Sequence, residues 1–331
     1  MIAPIAISMG DPAGIGPEVI AKAWRARASA GLPLFFAIGD PRAIEKVADV
    51  PIARICDPAE AAGAFDNALP VVAIHDAGEI EPGAPDADGA RCALLALEMA
   101  TGLVRAGAAG ALVTAPVSKA QLYRIGFTDA GQTEFVAQRC GIAPENAVMM
   151  LAGPSLRVVP VTTHIPIGAV PDALNTALIV AKARVTARGL ARNFGIEAPR
   201  LAFAGLNPHA GEGGDIGREE IDIIVPAIEQ LRAEGLDCSG PFAADGMFHA
   251  AARACYDVAI CCYHDQALIP LKLLHFDEGV NITLGLPIVR TSPDHGTAFD
   301  IAGQDRANPG AMIAAIRLAA EAAARRLAGQ Q

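Results

Sequence analysis

The sequence predicts an α/β fold, and three observations carry that prediction. Short β-rich runs recur between helical stretches; 52% of the 331 residues are apolar although aromatics make up only 5%; and alanine is abundant, which suits helices packed closely on a sheet. The β-rich runs are 5–9, 34–38, 71–74, 112–114, 148–151, 158–162, 201–204 and 258–262. Each has the length and apolar character of a buried strand.

Run 5–9 follows an N-terminus with no basic segment, so it reads as a first strand and not as a secretion signal. It leads through GDPAGIGPE at 10–18 into a helix over 17–27, with Pro17 in the first turn, where its missing N–H is not needed. A second helix is expected over 89–106. A third, over 311–327, is alanine-rich with arginine near its end. Segments 78–88 and 207–217, rich in Gly, Pro and Asp, read as loops. No stretch is long or biased enough to be a domain linker, and no repeat occurs, so residues 1–331 are read as one catalytic unit. That length supports one large core or two modest ones.

A net charge of −10 without any basic cluster argues against nucleic acid or an anionic membrane as partner and for a small molecule. No apolar run reaches the roughly 18 to 20 residues needed to span a bilayer. Seven cysteines, two of them adjacent at Cys261 and Cys262 and none in a C-x-x-C pair, point to a reducing compartment, the cytoplasm.

The loop at 10–18 has two readings, a backbone cradle for an anion or a tight strand-to-helix turn. It fails the dinucleotide fingerprint, because Gly14-Ile15-Gly16 is followed by Pro17, Glu18 and Val19, with no third Gly or Ala. Seven histidines occur, and three of them, His164 in VTTHIP, His209 in GLNPHAGEGG and His264 in CCYHDQ, stand at the ends of predicted strands, where α/β folds gather catalytic groups. Three neutral imidazoles with an open fourth position make a catalytic metal site; taken singly, each is also compatible with a hydrogen-bonded structural histidine. Asp245 and Asp265 are the nearest acids, available as proton acceptors or as partners of the histidines, and a helix cap is the alternative for Asp265. Among the cations, Lys272 in IPLKLL and Arg290 after LGLPIV are embedded in apolar sequence, where a charge needs an anionic partner or a route to the surface. Lys119 in TAPVSK is a third, equally readable as a surface lysine at a helix start. The run HGTAFDIAG at 295–303 has small residues against which a flat ring system can lie, or is simply a loop.

Taken together, GDPAGIGPE, TAPVSK, GQTEF, VTTHIP, GLNPHAGEGGDIG, YHDQ and GVNITLGLPIVRTSPDHGTAFDIAG resemble, in order and over nearly the whole chain, the 4-hydroxythreonine-4-phosphate dehydrogenase family of vitamin B6 biosynthesis. The resemblance implies the fold of isocitrate and isopropylmalate dehydrogenases, with two interleaved subdomains and the active site in the cleft between them. In that fold NAD binds without a Rossmann glycine fingerprint. HGTAFDIAG is similar to the HGSAPDIAG-type segment that carries the adenosine half of the cofactor there, which assigns His295, Gly296, Thr297 and Ala298 to NAD or NADP.

The same resemblance implies one divalent ion, zinc, magnesium or cobalt, held by His164, His209 and His264. It gives the third histidine to the other subunit of a homodimer. Substrate contacts map onto Gln132, Thr133, Lys272, Asn281 and Arg290, and catalytic groups onto Lys272, Asp245 and Asp265. One position departs: the family usually reads GHTE where this chain reads GQTE at 131–134. Gln132 can donate a hydrogen bond but cannot carry charge or exchange a proton near neutral pH. The implied reaction is oxidation of 4-phosphooxy-L-threonine to a β-keto acid that decarboxylates to 3-amino-2-oxopropyl phosphate. Alternatives are another phosphorylated hydroxy acid or a cis-dihydrodiol as substrate, or a non-catalytic metal-binding or ligand-binding role.

Overall fold

The computed structural model describes residues 2–74 and 77–329. The chain divides into two compact units, Met1–Pro144 with Leu286–Gln331, and Glu145–Gly285. In chain order the strands are β1 Ile5–Ser8, β2 Phe35–Gly39, β3 Ile52–Ile55, β4 Leu69–Ala73, β5 Ala111–Thr114, β6 Val148–Gly153, β7 Leu156–Pro160, β8 Arg200–Ala204, β9 Asp237–Phe242, β10 Val258–Cys261, β11 Val280–Leu284 and β12 Arg290–Pro293.

In the first unit the sheet runs β3-β4-β2-β1-β5-β12, and every neighbouring pair is parallel. β1, β2 and β5 are buried along their whole length. Parallel strands covered on both faces must be apolar on both, which is why these segments stand out in the sequence as unbroken runs. The helices Ala87–Arg105 and Gly310–Ala328 pack on this sheet. Ala87–Arg105 starts at Asp86, whose side chain accepts the Gly89 N–H. A side chain on Gly16 would place its Cβ 2.3 Å from the Met9 carbonyl oxygen. The glycines of GDPAGIG therefore serve a turn pressed onto the end of β1.

In the second unit the order is β11-β6-β7-β10-β8-β9. β11-β6 and β6-β7 are antiparallel, while β7-β10, β10-β8 and β8-β9 are parallel. Its core includes Leu151, Val158, Ala202, Ala259 and Leu271. The helix Thr176–Phe194 is capped by Asn175, whose side chain accepts the Leu178 N–H, and ends at Gly195 in a left-handed conformation.

All eight predicted runs fall on strands, and the three predicted helices are present within two residues of their expected ends. β3, β9, β11 and β12 were not predicted. β9 reads DCSGPF, and its Gly240 and Pro241 are tolerated because the strand lies at the sheet edge, where a ladder N–H is dispensable. β12 reads RTSP, a polar string that is nevertheless buried throughout. No helix among the described residues is long and apolar enough to cross a membrane.

Candidate active site

β7, β10 and β8 are adjacent and parallel, so their C-terminal ends share one edge of the second unit's sheet. The loops that leave this edge carry the three histidines, His164 after β7, His264 after β10 and His209 after β8.

Two of them come together. The rings of His164 and His264 have centroids 5.6 Å apart. They line one cavity of about 190 Å³ with Thr162, Thr163, Tyr263 and Asp265. The loop ends are tied to each other: Thr162 donates through both its N–H and Oγ1 to the Cys262 carbonyl. Buried Gln266 accepts the Cys262 N–H and donates to the Gly205 carbonyl, joining the ends of β10 and β8 to the helix His264–His275. His264 Nδ1 lies 2.7 Å from Asp265 Oδ1. A carboxylate only accepts, so Nδ1 carries the proton and the Nε2 lone pair is left for a metal ion. Asp265 is thus the orienting partner of His264, not the cap of that helix. His164 adopts φ 53°, a left-handed conformation that costs a non-glycine residue about 1 to 2 kcal/mol and that clusters at functional sites.

His209 stands in an unusual turn. The five residues His209, Ala210, Gly211, Glu212 and Gly213 all have positive φ, and three of them are not glycine. The loop is held by the buried carboxylate of Glu220, which accepts from Asn207 through both backbone and side chain. His209 Nδ1 is 2.7 Å from Glu212 Oε1, which again leaves Nε2 for a ligand. Among the described residues, no three His, Cys, Asp or Glu side chains are grouped to hold a metal ion. His209 does not line the cavity that His164 and His264 share. The resemblance implies that His264 comes from the partner subunit; within this chain its ring lies beside that of His164.

Asp245 is exposed in the turn Ala244–Gly246 and does not line the cavity. Lys272 is half-buried on the helix that His264 begins. Asn281, on β11, has a buried Oδ1 with no hydrogen-bond partner among the described residues. That atom calls for a donor.

In the first unit, Arg290 is 3% exposed and donates to Thr114 Oγ1 at 2.7 Å and Thr133 Oγ1 at 3.2 Å. Burial lowers its pKa to about 10, opposed by the Glu134 carboxylate, so it stays charged at neutral pH. Gln132 Nε2 donates to the Ala115 carbonyl, while its Oε1 is buried without a partner among the described residues. Lys119 is exposed at the start of the helix Lys119–Arg124, in keeping with the surface reading. His295 to Ala298 lie outside regular structure. Gly296 is exposed with nothing within 4 Å of where a Cβ would stand, and Ala298 has φ 43°. Of the remaining histidines, His249 caps a short helix, His275 contacts Ser155, and His75 lies outside the described residues.

Gln266, Glu212, Glu220 and Asp11 support these segments and were not singled out in the sequence, because their value lies in partners distant along the chain or hidden in a loop. Asp11 is 1% exposed and accepts the Ala13 N–H. Burial raises its pKa from 3.8 to about 6, with the Ala13 hydrogen bond opposing and the Asp86 charge adding. A carboxyl whose folded pKa is raised favours folding while protonated, a contribution present below 3.8 and lost as pH rises through about 6. Asp11→Asn keeps the hydrogen bond and removes the charge. It is expected to raise stability at pH 7.5 by about 3 kcal/mol at most, and by little at pH 4. Melting curves of both proteins at the two pH values check this; an equal increment at both would exclude a titrating Asp11.

Comparison with known proteins shows the family. The sequence model of the family described as "Pyridoxal phosphate biosynthetic protein PdxA" matches residues 32–319. A protein of Zymomonas mobilis named 4-hydroxythreonine-4-phosphate dehydrogenase is 59% identical over 328 residues, 99% of this chain and 98% of the relative. The crystal structure of a 4-hydroxythreonine-4-phosphate dehydrogenase from Klebsiella pneumoniae is similar with a TM-score of 0.87 and 39% identity, covering 97% of this chain and 99% of that one. A terephthalate 1,2-cis-dihydrodiol dehydrogenase from Burkholderia xenovorans is more distant, with a TM-score of 0.64 and 30% identity over 96% and 98% of the two chains. In fold alone the chain is similar to an isocitrate dehydrogenase of Methylococcus capsulatus, with a TM-score of 0.51 and 15% identity over 100% of this chain and 88% of that one. The predicted fold class is therefore correct.

Proposed function

The chain belongs to the PdxA family of pyridoxal phosphate biosynthesis, and from that premise we propose that it is the NAD(P)-dependent oxidoreductase that converts 4-phosphooxy-L-threonine to a β-keto acid. Loss of carbon dioxide from that acid gives 3-amino-2-oxopropyl phosphate for vitamin B6 synthesis, in the cytoplasm. The observation that carries the metal-dependent part is the His164–His264 pair, two imidazoles on one cavity with His264 Nδ1 committed to Asp265. This donor set fits zinc, magnesium or cobalt less one ligand, and His209 of a second copy completes it. The open, small-residue face at Gly296 to Ala298 fits the adenosine half of NAD or NADP.

When bound, the metal ion and the nicotinamide supply a Lewis acid and a hydride acceptor, which no side chain here can provide. The chain's own residues bind and orient. Arg290 meets an anionic group of the substrate, with Thr133 turned toward the same guanidinium. The buried orphan oxygens of Gln132 and Asn281 accept from substrate hydroxyl or ammonium protons. Asp265 holds His264 in the tautomer that exposes Nε2, and Lys272, Asp245 and Asp265 are the candidate groups for the hydroxyl proton.

Two features support a homodimer: among the described residues no third ligand joins His164 and His264, and one surface is apolar and exposed. On the helix His264–His275 and the residue after it, Ile269, Leu273 and Phe276 are 66%, 84% and 76% exposed. This apolar stripe adjoins Leu274 and lies on the helix that His264 begins, and a second copy would cover it.

The test is NADH or NADPH formation with 4-phosphooxy-L-threonine and divalent metal, set against phosphorylated sugar acids and a cis-dihydrodiol. Turnover of the first is expected to exceed the others by about 100-fold or more in kcat/KM. Gln132 in place of the family histidine is the feature that favours the second reading, and preference for another substrate would establish it. Bound metal with no turnover of any would mean a non-catalytic protein.

A further inference from the structure

Two motifs that are far apart in the sequence meet in the first unit. The Ile15 N–H of GDPAGIGPE donates to the Thr297 carbonyl of HGTAFDIAG at 3.0 Å. One turn into the following helix, Gly16–Arg25, the carboxylate of Glu18 is buried. Its Oε1 accepts the Ala307 N–H and the Lys22 ammonium, each at 2.9 Å. Lys22 Nζ in turn donates to the carbonyls of Asp305 and Ala307, both at 2.9 Å, and lies 3.0 Å from Asp305 Oδ1. The ammonium is thus ringed by acceptors, two of them main-chain carbonyls, and Asp305 is held at φ 58°. An exposed ion pair alone would count for little, but a buried carboxylate and a main-chain clamp are a costly arrangement for a mere surface loop.

The segment so clamped has no regular structure of its own between β12 and the helix Gly310–Ala328. Ordering such a chain costs on the order of 1 to 2 kcal/mol per residue, and a ligand that has to order it binds more weakly by that amount. We infer that Glu18 and Lys22 are positioning residues for the nicotinamide cofactor. With Ile15 they fasten the segment at Thr297 and at Asp305 to Ala307, so that His295 to Ala298 are ordered before the cofactor arrives. This rests on the reading that His295 to Ala298 hold NAD(P). It also gives GDPAGIGPE a role that is neither phosphate cradle nor simple turn.

Titration calorimetry of NAD and of NADP into the metal-loaded, full-length protein tests it. Lys22→Met should weaken binding of the preferred cofactor about tenfold, which is roughly 1.4 kcal/mol. The KM for cofactor should rise to match, with kcat at saturation within about twofold of wild type. Lys22→Arg, which keeps a cationic donor, should restore most of the affinity, and metal affinity should be the same in all three proteins. Lys22 is half-buried, with 19% of its side chain exposed, and melting curves of each variant check that it folds. Glu18→Gln, which keeps an acceptor for Ala307 but loses the charge, provides a second measurement with a smaller loss. Wild-type cofactor affinity in Lys22→Met, or a loss that Lys22→Arg does not recover, would overturn the inference. If wild-type protein binds neither cofactor, the reading of His295 to Ala298 fails as well, and that is seen before any variant is made.

Discussion

Co-expressed His164→Ala and His209→Ala subunits are expected to regain about a quarter of wild-type activity, although each alone is inactive. Random pairing makes half of the dimers mixed, and in a mixed dimer one of two sites joins an intact His164–His264 pair to an intact His209. His164→Ala mixed with His264→Ala should regain nothing, because both lesions fall in the half-site that one chain supplies. The single variants should each lose bound metal, measured by elemental analysis, together with at least about 10³-fold in activity. The rings of His164 and His264 lie 5.6 Å apart, and among the described residues no third ligand joins them in the same chain. If His164→Ala and His264→Ala complement each other while His164→Ala and His209→Ala do not, then His264 is the residue that crosses. Failure of every combination would place the site within one chain.

What the sequence could and could not disclose follows from where the physical signal resides. Buried parallel strands must be apolar on both faces, so β1, β2 and β5 were visible as local composition. β12 was not, because its RTSP residues are buried for the sake of Arg290 and its hydroxyl partners, not for their own hydrophobicity. The three histidines were legible as strand-end residues, and the strands they follow, β7, β10 and β8, are adjacent in the sheet. The closeness of His164 to His264 and the left-handed turn at His209 to Gly213 were not legible, since no propensity predicts positive φ for His, Ala and Glu. Gln266 and Glu220 were invisible for a related reason. A buried glutamine bridging Cys262 and Gly205 is distinguished from any other helix glutamine only by its partners.

Arg290→Met should separate binding from stability more sharply than any other substitution. Arg290 is a buried cation whose described contacts include the hydroxyls of Thr114 and Thr133, and burial already pulls its pKa down to about 10. Replacing a buried charge with an apolar side chain of similar length often leaves a protein as stable or more so, by about 1 to 4 kcal/mol. For Arg290→Met the melting temperature should therefore hold or rise. The same change removes the forked donor that meets an anionic substrate group, and kcat/KM for 4-phosphooxy-L-threonine should fall about 10³-fold, or roughly 4 kcal/mol. Arg290→Lys keeps charge without the fork and should recover only part of that loss. Activity near wild type would remove Arg290 from the substrate site. A parallel collapse of melting temperature and activity would assign it to the core instead, and the buried guanidinium would then be explained by Thr114 and Thr133 alone. An arginine that weakens the fold it sits in and is needed only when the substrate binds is retained for chemistry, and that is the outcome its burial on β12 predicts.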